Sequence, residues 1–155
     1  MRREDFMRRA LALAEGNVAE GGGPFGAVVA CGGEIVAEAT NRVTASNDPT
    51  AHAEVEAIRA ACRRLGRFHL SGCEIYTSCE PCPMCLGAVY WARLDRVWYA
   101  ARREDAAAAG FSDQLIYQEI PLPPAERTIP AASLLPGEGA RPFAAWEEAA
   151  AKIPY

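Results

Sequence analysis

The 155 residues of the chain are enough for one domain that buries about two thirds of its unfolded surface. Half of the residues are hydrophobic and 23% are charged, which excludes a disordered or collagen-like chain. A formal net charge of -4 provides no general positive field, so we expect a small-molecule partner rather than a nucleic-acid polymer or a membrane. No run of 18 apolar residues occurs, and we predict neither a signal peptide nor a spanning helix, hence a cytoplasmic location.

The first half of the chain alternates between helical and strand-like apolar periodicity. Apolar residues at helical spacing predict an opening helix over about 2–19, which ends at a glycine-rich breaker. Ala27–Cys31 and Glu34–Thr40 read as strands joined by a glycine pair, so we predict an antiparallel hairpin. Asp48 and the two residues after it supply helix-start chemistry for a helix near 51–65.

The second half continues this alternation before it becomes rich in proline. The predicted elements are, in order, a strand at Glu74–Thr77, a helix from Pro83 to about Arg93, a buried strand at Arg96–Ala101, short helical pieces within 103–118, an extended arm over 121–139 and a final helix at about 142–152. Alternating helices and strands predict an α/β fold with helices on both faces of a sheet.

Candidate metal ligands lie in two short motifs about thirty residues apart. Cys82 and Cys85 are spaced i, i+3 at the start of a predicted helix and point the same way, and His52 from another helix completes three zinc ligands. Three protein ligands leave a fourth position for water, whose pKa the zinc lowers. Glu54 can face that water without binding the metal. His-x-Glu together with Pro-Cys-x-x-Cys is the known signature of zinc deaminases.

The other cysteines leave alternative interpretations open. Cys79 could supply a fourth ligand, which would make a noncatalytic structural zinc module. An iron–sulfur site is disfavoured because position 89, where a further cysteine is expected, is Val89. We expect Cys31, Cys62 and Cys73 to be small packed hydrophobic residues rather than ligands.

Longer motifs around these residues resemble a known family. Three segments resemble the cytidine-deaminase-like superfamily: Pro24–Val29, Asn47–Glu54 and Thr77–Ala88. Four others are similar to small bacterial zinc-dependent guanine deaminases: Tyr90–Arg93, Ala109–Asp113, Glu126–Pro130 and Pro154–Tyr155. The resemblance implies one deaminase domain over 1–155, with a three-layer α/β/α fold around a mixed sheet. It also implies a homodimer that exchanges the C-terminal arm and helix, about 121–155.

The same resemblance implies a reaction and a set of site residues. The reaction is hydrolysis of guanine to xanthine and ammonia by a zinc-activated hydroxide, in purine catabolism or salvage. The implied residues are Glu54 and Asp113 in catalysis; Phe25, Asn41, Ala53, Asp113 and Tyr155 in substrate binding; and His52, Cys82 and Cys85 as ligands of Zn2+.

Several of these residues could instead have a purely structural role. Phe25 could be a plain core residue, Asn41 could only stabilise a turn, and Asp113 could cap a short helix at Gln114. The substrate could instead be another free base or a nucleoside (guanosine, cytosine or cytidine) or a tRNA adenosine.

Overall fold

The fold begins with a long helix and a hairpin, and helices then alternate with strands. The structure, a computed structural model, describes residues 1–155. Its elements are α1 (Arg3–Ala19), β1 (Gly26–Cys31), β2 (Glu34–Thr40), α2 (Val43–Ser46), α3 (Ala53–Leu65), β3 (Cys73–Cys79), α4 (Pro83–Trp91), β4 (Arg96–Ala101), α5 (Arg103–Ala108), α6 (Gln114–Glu119), a 3-10 helix (Pro124–Glu126) and α7 (Arg141–Glu148). The chain divides into two compact units, Met1–Asp113 and Gln114–Tyr155.

The first unit contains a four-stranded sheet of order β2-β1-β3-β4. β1 is antiparallel to both of its neighbours, with Val28 opposite Glu38 on β2 and opposite Tyr76 on β3. β3 and β4 are parallel, as a crossover through α4 requires. The predicted hairpin and mixed sheet are confirmed.

Helices cover both faces of this sheet. On one face, Phe6 and Ala10 of α1 pack with Val28 and Tyr76. On the other face, the alternate strand residues pack against α3 and α4, in a core that includes Val29, Ile75, Ala57 and Val89. Alternation of side chains along each strand places successive residues in the two cores. The three-layer α/β/α arrangement is therefore confirmed.

β4 differs from its prediction as a buried strand. It forms one edge of the sheet, and Arg96, Tyr99 and Ala100 are exposed while its other residues are at most half-buried. Its apolar core of valine and aromatic residues resembles a central strand in sequence. An edge strand with such residues has one side without a neighbour in this chain.

Helix boundaries also differ from the sequence predictions in places. α3 begins at Ala53 rather than near 51, because the Oδ1 atom of Asp48 accepts hydrogen bonds from Thr50 in a local turn instead of capping a helix. The short helix α2 was not predicted. α7 ends at Glu148, earlier than the expected boundary near 152.

Two of the cysteines expected to be packed hydrophobic residues form a disulfide. Cys31 and Cys73 are directly opposite each other on β1 and β3, with their Cα atoms 4.3 Å apart. The disulfide joins the end of β1 to the start of β3, whereas the candidate metal ligands Cys82 and Cys85 follow the other end of β3. Both residues pack in the core and neither is a metal ligand, as expected, but the disulfide between them was not predicted; Cys62 is a half-buried free thiol.

The second unit contains two short α-helices, a 3-10 helix and a connecting arm. The 3-10 helix interrupts the arm expected to be extended, and Glu119 of α6 accepts a hydrogen bond from the Thr128 hydroxyl at 3.1 Å. Apolar side chains of this unit remain exposed in the single chain, among them Ile129, Leu134 and Phe143. No helix in the structure has the length and apolar character needed to cross a membrane.

Candidate active site

Two helix starts bring the candidate metal ligands together. His52 is the residue before the first turn of α3, and Cys82 occupies the same position before α4, where Pro83 opens the helix. Proline suits this first position because its fixed φ is helical and its missing N–H has no helical partner there. Cys85 follows in the first turn of α4. The positive ends of both helix dipoles favour thiolate at this place.

The geometry of these three side chains fits a tetrahedral zinc site. The Nδ1 atom of His52 lies 3.6 Å from the Sγ of Cys82 and 3.5 Å from the Sγ of Cys85. All three ligand atoms lie within 4.8 Å of one another. Tetrahedral zinc with typical Zn–N and Zn–S bonds of about 2.1 and 2.3 Å separates such ligand atoms by about 3.5–3.8 Å. The donor set therefore fits zinc in both chemistry and spacing.

Cys79 is not part of this cluster. It is buried at the end of β3, and its thiol donates a hydrogen bond to the carbonyl oxygen of Arg102 at 3.6 Å. Burial raises the pKa of the Cys79 thiol to about 11, so the thiol remains protonated. The cluster thus offers three protein ligands, the number typical of catalytic zinc sites, rather than the four of structural sites.

Glu54 is a buried carboxyl beside the cluster. Only 6% of the residue is exposed, and the Cys85 thiol donates a hydrogen bond to its Oε2 atom at 3.3 Å. Burial raises the pKa of Glu54, and hydrogen bonds from its own backbone and from Cys85 oppose that effect. A carboxyl with a raised pKa next to a metal site is suited to accept and return protons near neutral pH.

The two cysteine thiols differ in acidity although they are three residues apart. The neighbouring Cys85 and His52 side chains lower the pKa of Cys82 to about 4, against the effect of burial. The pKa of Cys85 is raised, first by its proximity to Cys82 and then by burial. Cys82 is therefore a thiolate at neutral pH, which is the form of cysteine that binds metals.

The structure brings Phe25 and Asn41 together at one end of the hairpin. Phe25 precedes β1 and Asn41 follows β2, and the Asn41 amide N–H donates to the Phe25 carbonyl oxygen at 3.0 Å. The Phe25 ring meets Phe111 edge-on, with ring centroids 5.1 Å apart. The Oδ1 atom of Asn41 accepts a hydrogen bond from the Val43 amide at 3.2 Å, so this side chain does stabilise a turn. Phe25 is partly buried and packs against the core between the sheet and α3.

The other predicted site residues lie at separate places in the chain. Ala53 is fully buried between His52 and Glu54. Asp113 is half-buried at the end of the first unit, two residues beyond Phe111. Tyr155 belongs to the second unit and is 75% exposed.

Two buried polar residues near Phe25 and Asn41 were not predicted from the sequence. The hydroxyl oxygen of Ser78 accepts a hydrogen bond from the Gly26 amide at 3.0 Å and fixes the start of β1. Asn17 continues the buried stripe of α1, after Phe6 and Ala14, and is hydrogen-bonded to two loops. An amide side chain on an otherwise apolar helix face is the signal that identifies Asn17.

Comparisons with known proteins agree with this site. The family described as the cytidine and deoxycytidylate deaminase zinc-binding region matches residues 1–101. Guanine deaminase of Bacillus subtilis (strain 168) is 57% identical over 156 residues, covering 100% of both chains. An X-ray structure of guanine deaminase from Bacillus subtilis matches with a TM-score of 0.98 at 56% identity, covering 100% of this chain and 99% of that chain.

A second kind of relative matches a smaller part of the chain. The tRNA-specific adenosine deaminase of Aquifex aeolicus (strain VF5) is 44% identical over 101 residues, which cover 65% of this chain and 67% of that protein. The family match spans all three candidate ligands and Glu54, and the resemblance inferred from the motifs is confirmed. The chain therefore belongs to the cytidine and deoxycytidylate deaminase zinc-binding family, and it is a zinc-dependent hydrolase.

Proposed function

We propose that the protein hydrolyses guanine to xanthine and ammonia, in purine catabolism or salvage. The observation that carries the proposal is the extent of the similarity to guanine deaminase of Bacillus subtilis, which is 57% identical over the full chain. That similarity includes the C-terminal region with Asp113 and Tyr155. The tRNA-specific relative, in contrast, covers 65% of this chain.

His52, Cys82 and Cys85 would hold the zinc ion in this proposal. Bound zinc at a site with three protein ligands supplies Lewis-acid activation of a water molecule. The role of these residues is to fix the metal between two helix starts, at nitrogen–sulfur distances of 3.5 and 3.6 Å. Cys79 stays outside the ligand set because its thiol donates to a backbone carbonyl and keeps its proton. This arrangement supports a catalytic site over a structural zinc module.

Glu54 moves the protons of the reaction. Its carboxylate accepts a proton from the attacking water and returns it to a ring nitrogen next to C2 of guanine. It then carries a second proton from the added oxygen to the amino group, so that ammonia can leave. Water and guanine are consumed, xanthine and ammonia are released, and Glu54 ends in its starting state. Burial of the carboxyl, with its raised pKa, supports this role.

Phe25, Asn41 and Ala53 bind the purine. The ring of Phe25 stacks on the base, while its edge-on contact with Phe111 limits its orientation. The Oδ1 atom of Asn41 is engaged with Val43, so its amide nitrogen supplies the donors for the oxygen or a ring nitrogen of guanine. The small side chain of Ala53, buried between His52 and Glu54, lets the base approach the metal ligands.

Asp113 and Tyr155 complete the site in a homodimer that exchanges its C-terminal segment. Asp113 holds the amino group of the substrate and relays protons, and Tyr155 stacks on or hydrogen-bonds to the base. Residues 1–155 then act as one deaminase domain whose arm and helix, about 121–155, pack on the other subunit. Exposed apolar residues support such a partner, because a single chain leaves Tyr90, Trp91 and Phe143 at least 70% exposed.

We also propose a cytoplasmic location, where free purine bases are processed. Disulfides are uncommon in that compartment. The disulfide of this protein includes a fully buried residue, Cys73, which limits access of reductants. Fractionation of the native cells tests the location: recovery with soluble cytoplasmic markers supports it, and recovery in the extracellular or envelope fraction contradicts it.

A substrate screen tests the proposed reaction. Zinc-loaded protein is incubated separately with guanine, guanosine, cytosine, cytidine and a tRNA that carries the target adenosine, and ammonia release is measured, with the Glu54→Gln variant as the blank. We expect release from guanine at a kcat/KM at least about a hundredfold above that for each alternative. Preferred release from a nucleoside or tRNA contradicts the guanine assignment. No release from any compound, with zinc bound, supports the structural zinc module instead.

A further inference from the structure

We propose that Asn17 is a positioning residue for two loops, the one between α1 and β1 and the one that follows β2. Its side-chain amide ties the backbones of Gly23 and Asn41 together and thereby places Phe25 and Asn41. The inference rests on the proposed function, in which Phe25 and Asn41 contact guanine. Asn17 itself touches neither the metal ligands nor the substrate.

The hydrogen bonds of Asn17 connect three separate segments of the chain. Its Nδ2 atom donates to the carbonyl oxygen of Gly23 at 2.7 Å and to the carbonyl oxygen of Asn41 at 3.0 Å. Gly23 lies two residues before Phe25, and Asn41 is the residue after β2. The single amide group of Asn17 therefore connects the end of α1 to the loop before β1 and to the loop after β2. An amide nitrogen has two donors, and both are used here.

Burial makes these two hydrogen bonds hard to replace. Only 7% of Asn17 is exposed, at the end of the apolar stripe of α1. Gly23 and Asn41 are half-buried, so water compensates only in part for a lost donor, although the Gly23 carbonyl would keep its hydrogen bond from the Phe25 amide at 2.9 Å. An apolar residue at position 17 would leave both carbonyls without this partner, and aspartate would place a carboxylate against two carbonyl oxygens. Position 17 therefore requires the two donors of an amide.

The backbone around Asn17 is packed so closely that glycine is needed beside it. A Cβ atom added to Gly22 would collide with the Asn17 amide, including its Cγ atom at 2.7 Å. A Cβ atom on Gly23 would lie 3.3 Å from the Cγ atom of Asn41. The Gly22 amide also donates to the Asn17 carbonyl oxygen at 2.8 Å, so the loop folds back on the end of the helix. The close fit leaves the loop little freedom to shift while the hydrogen bonds hold.

The positions of Phe25 and Asn41, the proposed base contacts, depend on the loop backbones that Asn17 holds. The Asn41 amide donates to the Phe25 carbonyl oxygen at 3.0 Å, and the Asn41 side chain is turned by its bond to the Val43 amide. A shift of Asn41 therefore moves the backbone of Phe25 as well. Contacts with the base are present in both the bound substrate and the transition state, so their misplacement raises KM more than it lowers kcat.

The kinetic test compares Asn17→Asp, which keeps the size and removes the donors, with Val18→Asp. Val18 is 52% exposed, so its variant adds the same charge one residue along α1 while the two hydrogen bonds of the Asn17 amide remain. Asn17→Asp should raise KM for guanine at least about tenfold and change kcat less than about threefold, with zinc content unchanged. Gly22→Ala, which pushes on the Asn17 amide from the loop side, should give the same pattern and provides the test if Asn17→Asp does not fold.

A double-variant comparison separates positioning from general destabilisation. If Asn17 acts through Asn41, then Asn17→Asp should raise KM by a smaller factor in the Asn41→Ala background than in the wild type. Equal factors in both backgrounds would overturn the proposal.

Hydrogen exchange provides a readout that does not depend on turnover. In the zinc-loaded Asn17→Asp or Gly22→Ala variant, the amides of Asn41 and Val43 should exchange at least about tenfold faster than in the wild type, with exchange in β3 unchanged. Unchanged exchange at these amides, or a wild-type KM in the folded variants, overturns the inference. If exchange changes as expected but the wild type does not deaminate guanine, the proposed function has failed and the positioning role stands.

Discussion

The Nδ1 atom of His52 lies 3.5 Å from the Sγ atom of Cys85, although the two residues are 33 positions apart. Each belongs to the start of a different helix, and both helices pack on the same face of the sheet. The metal site thus depends on the correct packing of α3 and α4 on β1 and β3. Neither ligand segment forms the three-ligand cluster alone.

Removal of one thiolate should remove the metal. Cys82→Ala and Cys85→Ala each leave two of the three ligands, so we expect zinc content to fall from about one ion per chain to less than about 0.1. Metal analysis after gel filtration measures this directly. Cys62→Ala is the matched control, since Cys62 is a free cysteine outside the cluster and its variant should keep its zinc. Full zinc content in Cys82→Ala or Cys85→Ala would place the metal elsewhere.

The close approach of α1 to β1 predicts different effects for two glycines. A Cβ atom on Gly26 would clash with the backbone of α1, including the amide nitrogen of Ala14 at 2.8 Å, whereas one on Gly16 meets no atom within 4 Å. Gly26→Ala should destabilise the protein by about 2 kcal/mol or more, since backbone must move. Gly16→Ala should be neutral or stabilise by up to about 1 kcal/mol, because alanine favours helix. Urea unfolding measures both, and a neutral Gly26→Ala would contradict this packing.

The lowered pKa of Glu74 implies that the stability of the protein depends on pH in a specific way. Its carboxylate accepts hydrogen bonds from the Tyr76 hydroxyl at 2.7 Å and from the Trp98 indole at 2.9 Å, and the first of these is the main cause of its lowered pKa. A carboxyl whose pKa is lower in the folded state stabilises the protein above its unfolded-state pKa of about 4.3. That contribution is lost as the pH falls through the folded-state pKa.

We therefore expect the free energy of unfolding to fall less in Glu74→Gln than in the wild type when the pH is lowered from about 5 to about 3. Urea titrations at each pH measure the difference, with Glu34→Gln as a control for the loss of one exposed carboxyl. An identical pH dependence in Glu74→Gln and the wild type would show that the hydrogen bonds to Glu74 do not stabilise the folded state.

Deletion of Tyr155 tests the proposed role of the C-terminal segment. We expect the dimer and its zinc to remain, because Tyr155 is not one of the candidate metal ligands, while kcat/KM for guanine falls at least about tenfold. Steady-state kinetics and metal analysis of the same preparation measure both quantities. Full activity of the deleted protein would show that Tyr155 is not part of the active site.

Mixed dimers decide whether the segment acts on its own subunit or on the partner. Glu54→Gln subunits and Tyr155-deleted subunits are dissociated, mixed in equal amounts and reassembled. With exchange, each heterodimer has one site with an intact Glu54 and an intact Tyr155, so about a quarter of the wild-type activity should return. Without exchange, no site contains both residues, and activity should remain at the level of the separate variants.

Much of the fold was predictable because local patterns and packing agree. The glycine pair after Cys31 and the alternating strands specify the hairpin, and the buried stripe of α1 specifies the face that it packs. The edge position of β4 was not predictable, because its apolar sequence does not reveal the absence of a neighbour. The disulfide of Cys31 depends on the register of β1 with β3, which sequence spacing does not determine.

The metal ligands were easier to predict than the residues that support them. Cysteines at i, i+3 after proline and a histidine two residues before a glutamate form a rare pattern with one evident chemistry. Asn17 has no comparable motif, since its partners are backbone carbonyls of residues 6 and 24 positions away. Such contacts become visible only when the loops are placed in three dimensions.

The rate of xanthine formation from guanine by the zinc-loaded wild type and by Glu54→Gln tests the proposed chemistry most directly. Glu56→Gln, two residues further along α3, is the matched control, because Glu56 forms a hydrogen bond with Arg59 on the protein surface. We expect all three proteins to bind about one zinc ion per chain, with turnover at least about a hundredfold lower in Glu54→Gln alone. Wild-type turnover in Glu54→Gln, or zinc loss in that variant, would contradict the division of roles between metal ligands and proton carrier.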